Sequence, residues 1–267
     1  MRKTTIFLLA MILGIASLTS CLDGKNVQSG YALGVYDADG GYFSQSLFHS
    51  TVGPLYAPSM NTYMQSGESF LVYYNCDFDA PENSSAMLQT NNYYTVTISN
   101  YSKLPQTTAM SYMSDTSTVM DNEIPLLSGY YNNNGALVNT TSDSYLFLPH
   151  TLPQASDVEL DWSMCYGNYS GQPTVVGAER FYDLYIRATK TTTKLSKSQN
   201  EFQVCYRIGS FLRDAAYNER NQEYFNAETS KFNVRIFWVS SVSNGKLAWS
   251  SAVQSMFVAS FLDEEGY

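Results

Sequence analysis

Residues able to do acid–base, nucleophilic or metal chemistry are few in this 267-residue chain, and they lie far apart. There are only two histidines, His49 and His150, and neither sits in a His-Glu-x-x-His pattern. Cys-x-x-Cys and Gly-x-Ser-x-Gly are both absent, which removes the local signatures of thiol redox and serine hydrolase sites. Carboxylates two residues apart occur at Asp37/Asp39, Asp77/Asp79 and Glu159/Asp161. Such pairs share one face of a strand or converge in a turn, where they could serve glycoside hydrolysis or hold calcium. Asp37-Ala38-Asp39-Gly40 is the best calcium candidate, but Phe48 stands where an EF-hand loop needs its bidentate glutamate. An acidic turn is the plainer reading. The sequence therefore assigns no catalytic residue, no cofactor and no metal ligand.

The cysteines are more informative. Arg2 and Lys3 precede an unbroken apolar run, Ile6–Ala16, too short to span a bilayer. The run ends in Leu18-Thr19-Ser20-Cys21, which resembles the bacterial lipobox, in which the cysteine is acylated before cleavage in front of it. Residues 1–20 are thus read as a lipoprotein signal peptide, Cys21 as the lipid attachment site and 21–29 as a lipidated tether. Several acyl chains anchor stably because each buried CH₂ contributes about 0.8 kcal/mol. Export to an oxidising compartment permits disulfides. Strand parity places Cys165 and Cys205 each on the polar side of its strand, which allows a Cys165–Cys205 bond with Cys76 buried and free; the alternative is that all three are small buried residues.

The elements that must position these residues read as all-β. The chain holds 22 tyrosines and 14 phenylalanines, with only 15% charged residues. Aromatic and β-branched residues suit half-buried strands. Period-two alternation runs through 158–166, 181–188, 201–208 and 232–239, the pattern of antiparallel strands with one buried face. Ser243-Asn244-Gly245 signals a hairpin leading to Trp249, and a last strand is expected near 255–261. Residues 209–228 break the alternation, and Phe211, Leu212, Ala215 and Ala216 allow one short helix. This half reads as an antiparallel β-sandwich over 158–262. Strand candidates at 31–36, 42–48, 69–75 and 93–98 suit a small barrel over 30–105. Residues 106–157 then form a connecting region with a hairpin at Asn132-Asn133-Asn134-Gly135. Aromatics at turns, Tyr130 and Tyr131 beside that hairpin and Trp249 after the last one, are the candidates for stacking on a sugar ring.

Gly30-Tyr31-Ala32-Leu33-Gly34, the run Gly67–Tyr74 (GESFLVYY) and Tyr94-Thr95-Val96-Thr97-Ile98 resemble the NigD-like lipoproteins of Bacteroidales, and Asp183–Arg187 suits the same family's second half. The resemblance implies an N-terminal OB-type barrel followed by a C-terminal β-sandwich. It implies no activity, since the family name derives from a bacteriocin-associated locus. Many such lipoproteins carry an acidic run after the cysteine, associated with surface display. Here Leu22-Asp23-Gly24-Lys25 supplies one acid, which leaves both a surface-facing and a periplasm-facing anchor open.

The formal net charge is −9, which disfavours nucleic acid as a partner. The expectation is a non-enzymatic protein held to the outer membrane by its N-terminal lipid and binding a glycan or an envelope protein. A fimbrilin-like or adhesin subunit is the structural alternative. A glycan hydrolase using a carboxylate pair is a third, and bacteriocin immunity is possible by family association.

Overall fold

The computed structural model describes residues 26–38, 45–107, 110–127, 135–140, 142–168, 172–226 and 228–262. Cys21, Asp39, Tyr130 and Tyr131, and all but Gly135 of the Asn-rich hairpin, lie outside the described residues. The fold is all-β, in two compact units. One is the described chain up to Leu104 with the short return Val138–Ser142; the other comprises Pro105–Leu137 and Asp143 onward.

The first unit is a curled six-stranded sheet in the order β5-β3-β2-β1-β4-β6. Its strands are β1 (Val27–Asp37), β2 (Leu47–Ser50), β3 (Leu55–Tyr56), β4 (Ser69–Asp77), β5 (Tyr94–Thr95) and β6 (Thr97–Lys103). Two short helices, α1 (Met60–Tyr63) and α2 (Ser85–Asn91), join them. Alternation along β1 and β4 sends Ala32, Tyr36, Phe70, Val72 and Cys76 inward, where they meet Phe48, Leu55 and Met60 in one core. The candidate strand 93–98 is divided at Val96, which is buried and whose N–H donates to the Tyr56 carbonyl at 2.9 Å. Buried Asn83 fastens this corner, donating to the carbonyls of Asp77 and Thr95 and accepting from the Thr95 N–H at 2.8 Å.

The second unit is an eight-stranded sheet with the path β14-β13-β12-β10-β8. In chain order its elements are β7 (Gln106–Thr107), β8 (Met110–Tyr112), the first two residues of β9 (Ala136–Asn139), β10 (Ser144–Tyr166), β11 (Thr174–Val176), β12 (Glu179–Arg207), α3 (Gly209–Arg220), β13 (Lys231–Ser243) and β14 (Lys246–Phe257). β7 and β11 both attach to β12 off that path. Three of the four alternating segments are therefore halves of two very long strands. Extra residues occur first on β10 and then twice on β12 between Thr151 and Leu160, where the register shifts three times. Bulges bend the strand that carries them. The paired strands fold over there, and Leu146, Leu148, Val204 and Tyr206 of one half share a single core with Met164, Leu184 and Ile186 of the other.

Three further expectations are corrected here. Residues 144–157, read as part of a connection, already belong to β10, because Tyr145 to Thr151 pair residue by residue with Arg207 to Glu201 of β12. β13 pairs with β12 in parallel, Leu184 opposite Ile236, so the sheet is mixed. A parallel neighbour needs a long crossover. Residues 208–230 supply it, with Phe211, Leu212, Ala215 and Ala216 of α3 buried against the core. The last strand is β14 itself; it ends at Phe257, and Val258–Ser260 turn as a 3₁₀ helix. The hairpin before it forms as read: Asn244 and Gly245 take positive φ of 50° and 67°, the geometry of a type I′ turn.

The segment between β8 and the Asn-rich stretch crosses the second unit rather than leaving it. Ile124 N–H donates to the Ala188 carbonyl, Leu126 N–H to Val239 at 2.7 Å and Leu127 N–H to Thr151 at 2.8 Å. Leu126 is fully buried in the core. Arg187 locks this strap by a two-pronged pair with Glu123, at 2.6 and 2.5 Å, and by a bond to the Thr118 carbonyl.

Candidate functional site

Among the described residues, a ligand-sized concavity lies in the first unit, between α1 and β6. Ser59 leads into a single helical turn in which Met60 and Met64 bracket one spacing of four and are both buried. Met64 N–H closes the turn on the Met60 carbonyl at 2.9 Å. The Tyr36 hydroxyl donates to Asn61 Oδ1, tying the helix to β1. Tyr63, on the other side of this turn, is 58% exposed.

The second wall comes from β6 and depends on a bulge. Ile98 pairs with Tyr74 and Asn100 with Tyr73, so Ser99 is an extra residue opposite no partner. Its hydroxyl donates to the Tyr73 carbonyl at 3.2 Å. Residues three apart on a regular strand point to opposite faces. The extra residue reverses that parity, so Ile98 and Tyr101 face the same side, Tyr101 standing opposite Val72. Tyr101 then stacks on Tyr63, ring centroids 5.7 Å apart and planes at 25°, and meets the edge of Phe70 at 6.1 Å.

These residues line an open pocket of about 290 Å³. Met60, Met64 and Ile98 give it apolar surface, the two tyrosines a ring wall, and Ser59, Ser99 and Asn100 polar groups. No lining residue carries a charge. At the end of β6, Lys103 is engaged by Glu68. The arrangement can hold a small uncharged ligand with one apolar face and hydrogen-bonding edges.

Of the residues nominated from sequence, the described ones do not assemble into this site. Trp249 belongs to the second unit, where its indole N–H donates to the Thr116 carbonyl at 2.9 Å and its ring meets Tyr185 edge-on at 5.2 Å. Tyr185 in turn stacks flat on Phe237 at 4.7 Å. Both the polar handle and a ring edge of Trp249 are thus engaged within the chain. The Cys165–Cys205 bond is not formed: Cys76, Cys165 and Cys205 are thiols. The ladder sets Cys165 opposite Tyr185 and Cys205 opposite Phe147, on different halves of the folded hairpin. Cys205 is also fully buried, because both faces of its strand are covered. Burial pushes the Cys76 thiol up to about 11, far from nucleophilic readiness.

The described members of the carboxylate pairs are engaged locally or exposed. Asp79 accepts from the Asn26 N–H at 2.9 Å, and Asp77 accepts from the Asp79 N–H at 3.1 Å. Asp37 faces His49 at 4.0 Å, where burial lowers the imidazole's proton affinity against the opposing pull of that carboxylate. Glu159 and Asp161 are exposed on β10. Among the described residues the buried carboxylates are different ones, and each has an arginine: Glu123 with Arg187, Asp143 with Arg207, Asp183 with Arg235, Glu219 with Arg180. Arg235 binds Asp183 through two bonds of 2.8 and 2.9 Å, which raises its proton affinity further. Glu219 also accepts from the hydroxyls of Tyr182 and Tyr224, at 2.7 and 2.9 Å.

Sequence reading missed Tyr63 and Tyr101. A parity break, Ile98 and Tyr101 both apolar at a spacing of three, was the available sign of the bulge.

Together these features define an all-β protein whose first unit is an OB-type domain. Residues 24–102 match the family model of the lipoprotein OB domain. An uncharacterized protein from Parabacteroides merdae has a similar fold, with a TM-score of 0.67 at 21% identity, over 86% of this chain and 98% of that one. Looser matches are a protein of unknown function DUF1344 from Bacteroides vulgatus and a candidate lipoprotein from Bacteroides fragilis. The first has a TM-score of 0.47 at 10% identity over 90% of this chain and 94% of its own. The second has a TM-score of 0.48 at 12% identity over 85% and 97%. No curated protein matches the chain.

Proposed function

We propose that the protein is a non-enzymatic binding lipoprotein of the cell envelope, held to the outer membrane through lipid on Cys21 and kin to the NigD-like lipoproteins. The observation that carries this is positional. The lipoprotein OB domain begins at residue 24, three residues after a cysteine that ends a short apolar leader. The non-enzymatic part rests on the ionisable groups. Among the described residues the buried carboxylates are neutralised by arginines, leaving no proton-poised pair facing a cavity. Ligand recognition is assigned to the OB unit, whose uncharged cavity fits binding rather than proton transfer.

Metabolic labelling with a radioactive fatty acid tests the anchor. The wild-type chain should take up label and sediment with outer membranes, and Cys21→Ser should lose both properties. An unlabelled wild-type protein would sink the reading.

A structural-subunit reading has one observation in its favour. From Leu247 to Phe257 the edge strand β14 carries no charge and no proline, the devices that normally protect an edge from pairing. Polymers resistant to mild denaturant would support it, and a monomer at high concentration would exclude it.

A further inference from the structure

We propose that the cavity between α1 and β6 is a saccharide subsite, which takes one uncharged pyranose unit of a glycan with Tyr63 as its stacking platform. This rests on the reading of the protein as a binding lipoprotein and names the ligand class. A pyranose presents a patch of C–H groups on one face and hydroxyls around its rim. The site presents the complement: a ring face at Tyr63, an apolar base of Met60, Met64 and Ile98, and hydroxyl and amide groups at Ser59, Ser99 and Asn100.

Those polar groups have capacity to spare. Asn100 uses its Oδ1 to accept from the Tyr101 N–H at 2.9 Å, which leaves the amide N–H₂ to donate. Ser99 donates to the Tyr73 carbonyl and keeps its lone pairs for an incoming hydroxyl. Ser59 makes no side-chain capping bond to α1. Tyr63 is held in place by its stack on Tyr101, so its ring is ordered before a ligand arrives. The whole chain is acidic, yet the lining has neither sign of charge. Recognition of a uronate, sulfate or phosphate would need a cation there, so the ligand is a neutral sugar. About 290 Å³ is at the small end of ligand cavities. It suits one ring of a longer chain, the rest of which runs along exposed β6.

The test is calorimetric titration of the full-length protein in a detergent that has no sugar head group. The probes are short neutral gluco-, galacto-, manno- and xylo-oligosaccharides, with oligogalacturonate as the acidic control. At least one neutral series should saturate at a single site, and oligogalacturonate should not bind. Tyr63→Ala should weaken binding about tenfold or more, Asn100→Ala about fivefold and Tyr63→Phe by less than about threefold. Trp249→Phe, in the other unit, should leave affinity unchanged. Because Tyr63 is exposed, its truncation spares the fold, which the unchanged circular dichroism of each variant verifies. Absence of any neutral binding would overturn the proposal, as would binding indifferent to Tyr63→Ala. In either case fatty-acid labelling at Cys21 would still report separately on the anchored envelope reading.

Discussion

His150 and Trp162 lie twelve residues apart on one strand, yet their rings stack with centroids 4.7 Å apart and planes at 26°. A straight strand would separate them by about 40 Å at roughly 3.3 Å per residue. Trp162 also lies 5.7 Å from Phe202, and the Tyr206 hydroxyl shares a 2.8 Å hydrogen bond with His150 Nε2. The long hairpin of β10 and β12 is thus doubled over, and His150 sits where its two layers meet.

Acid should destabilise the second unit through this histidine. Complete burial lowers His150 to about 3, so the folded state keeps it neutral while an unfolded chain protonates it near its ordinary value. The histidine's contribution is fully present above about pH 6.5 and is lost as pH falls toward 3, at about 1.4 kcal/mol per pH unit. Urea unfolding from pH 7 to pH 4 should show this slope in wild type and a shallower one in His150→Phe. Parallel curves would refute the assignment. All three tryptophans, Trp162, Trp238 and Trp249, lie in the second unit, so their fluorescence reports on it alone.

The strap over the second unit should depend on a buried charge pair. Arg187 and Glu123 are 6% and 0% exposed, and removing one partner strands the other's charge. Arg187→Met is expected to cost about 3–5 kcal/mol by tryptophan-detected urea unfolding. Arg187→Met combined with Glu123→Leu should recover most of that loss. A double variant no more stable than the single one would show that the pair's charge is not what matters.

Gly34 should resist substitution. A Cβ there would lie 2.3 Å from the His49 carbonyl oxygen and 2.8 Å from the Phe48 ring, within the β1–β2 pairing. The backbone atom cannot rotate away, so Gly34→Ala should destabilise the first unit by about 2 kcal/mol or more. Thermal unfolding followed by far-UV circular dichroism is the measurement, and an unchanged midpoint would contradict it.

The thiols should behave as packing residues. In the native protein Cys76 and Cys205 should resist iodoacetamide at pH 8, whereas half-buried Cys165 reacts first. All three should be alkylated once the chain is unfolded without reductant. A pair that needs reductant would restore the disulfide.

Much of this molecule was legible in local pattern. Alternation in 181–188 and 232–239, the Asn244-Gly245 turn and the apolar spacing of α3 depend on a residue's neighbours in the chain, and each appears where the pattern put it. The short apolar run Ile6–Ala16 and the cysteine at 21 are also features of the linear chain. What the tertiary structure decided is where strands bend and which faces meet. The shifts between Thr151 and Leu160 and the extra residue at Ser99 are relations between two strands. One strand's sequence holds only half of each. For that reason Cys165 and Cys205, matched in parity, end on separate halves of a folded hairpin, while Ile98 and Tyr101, opposed in parity, come to share one cavity. Parity is a local rule, and a bulge that only the partner strand defines reverses it.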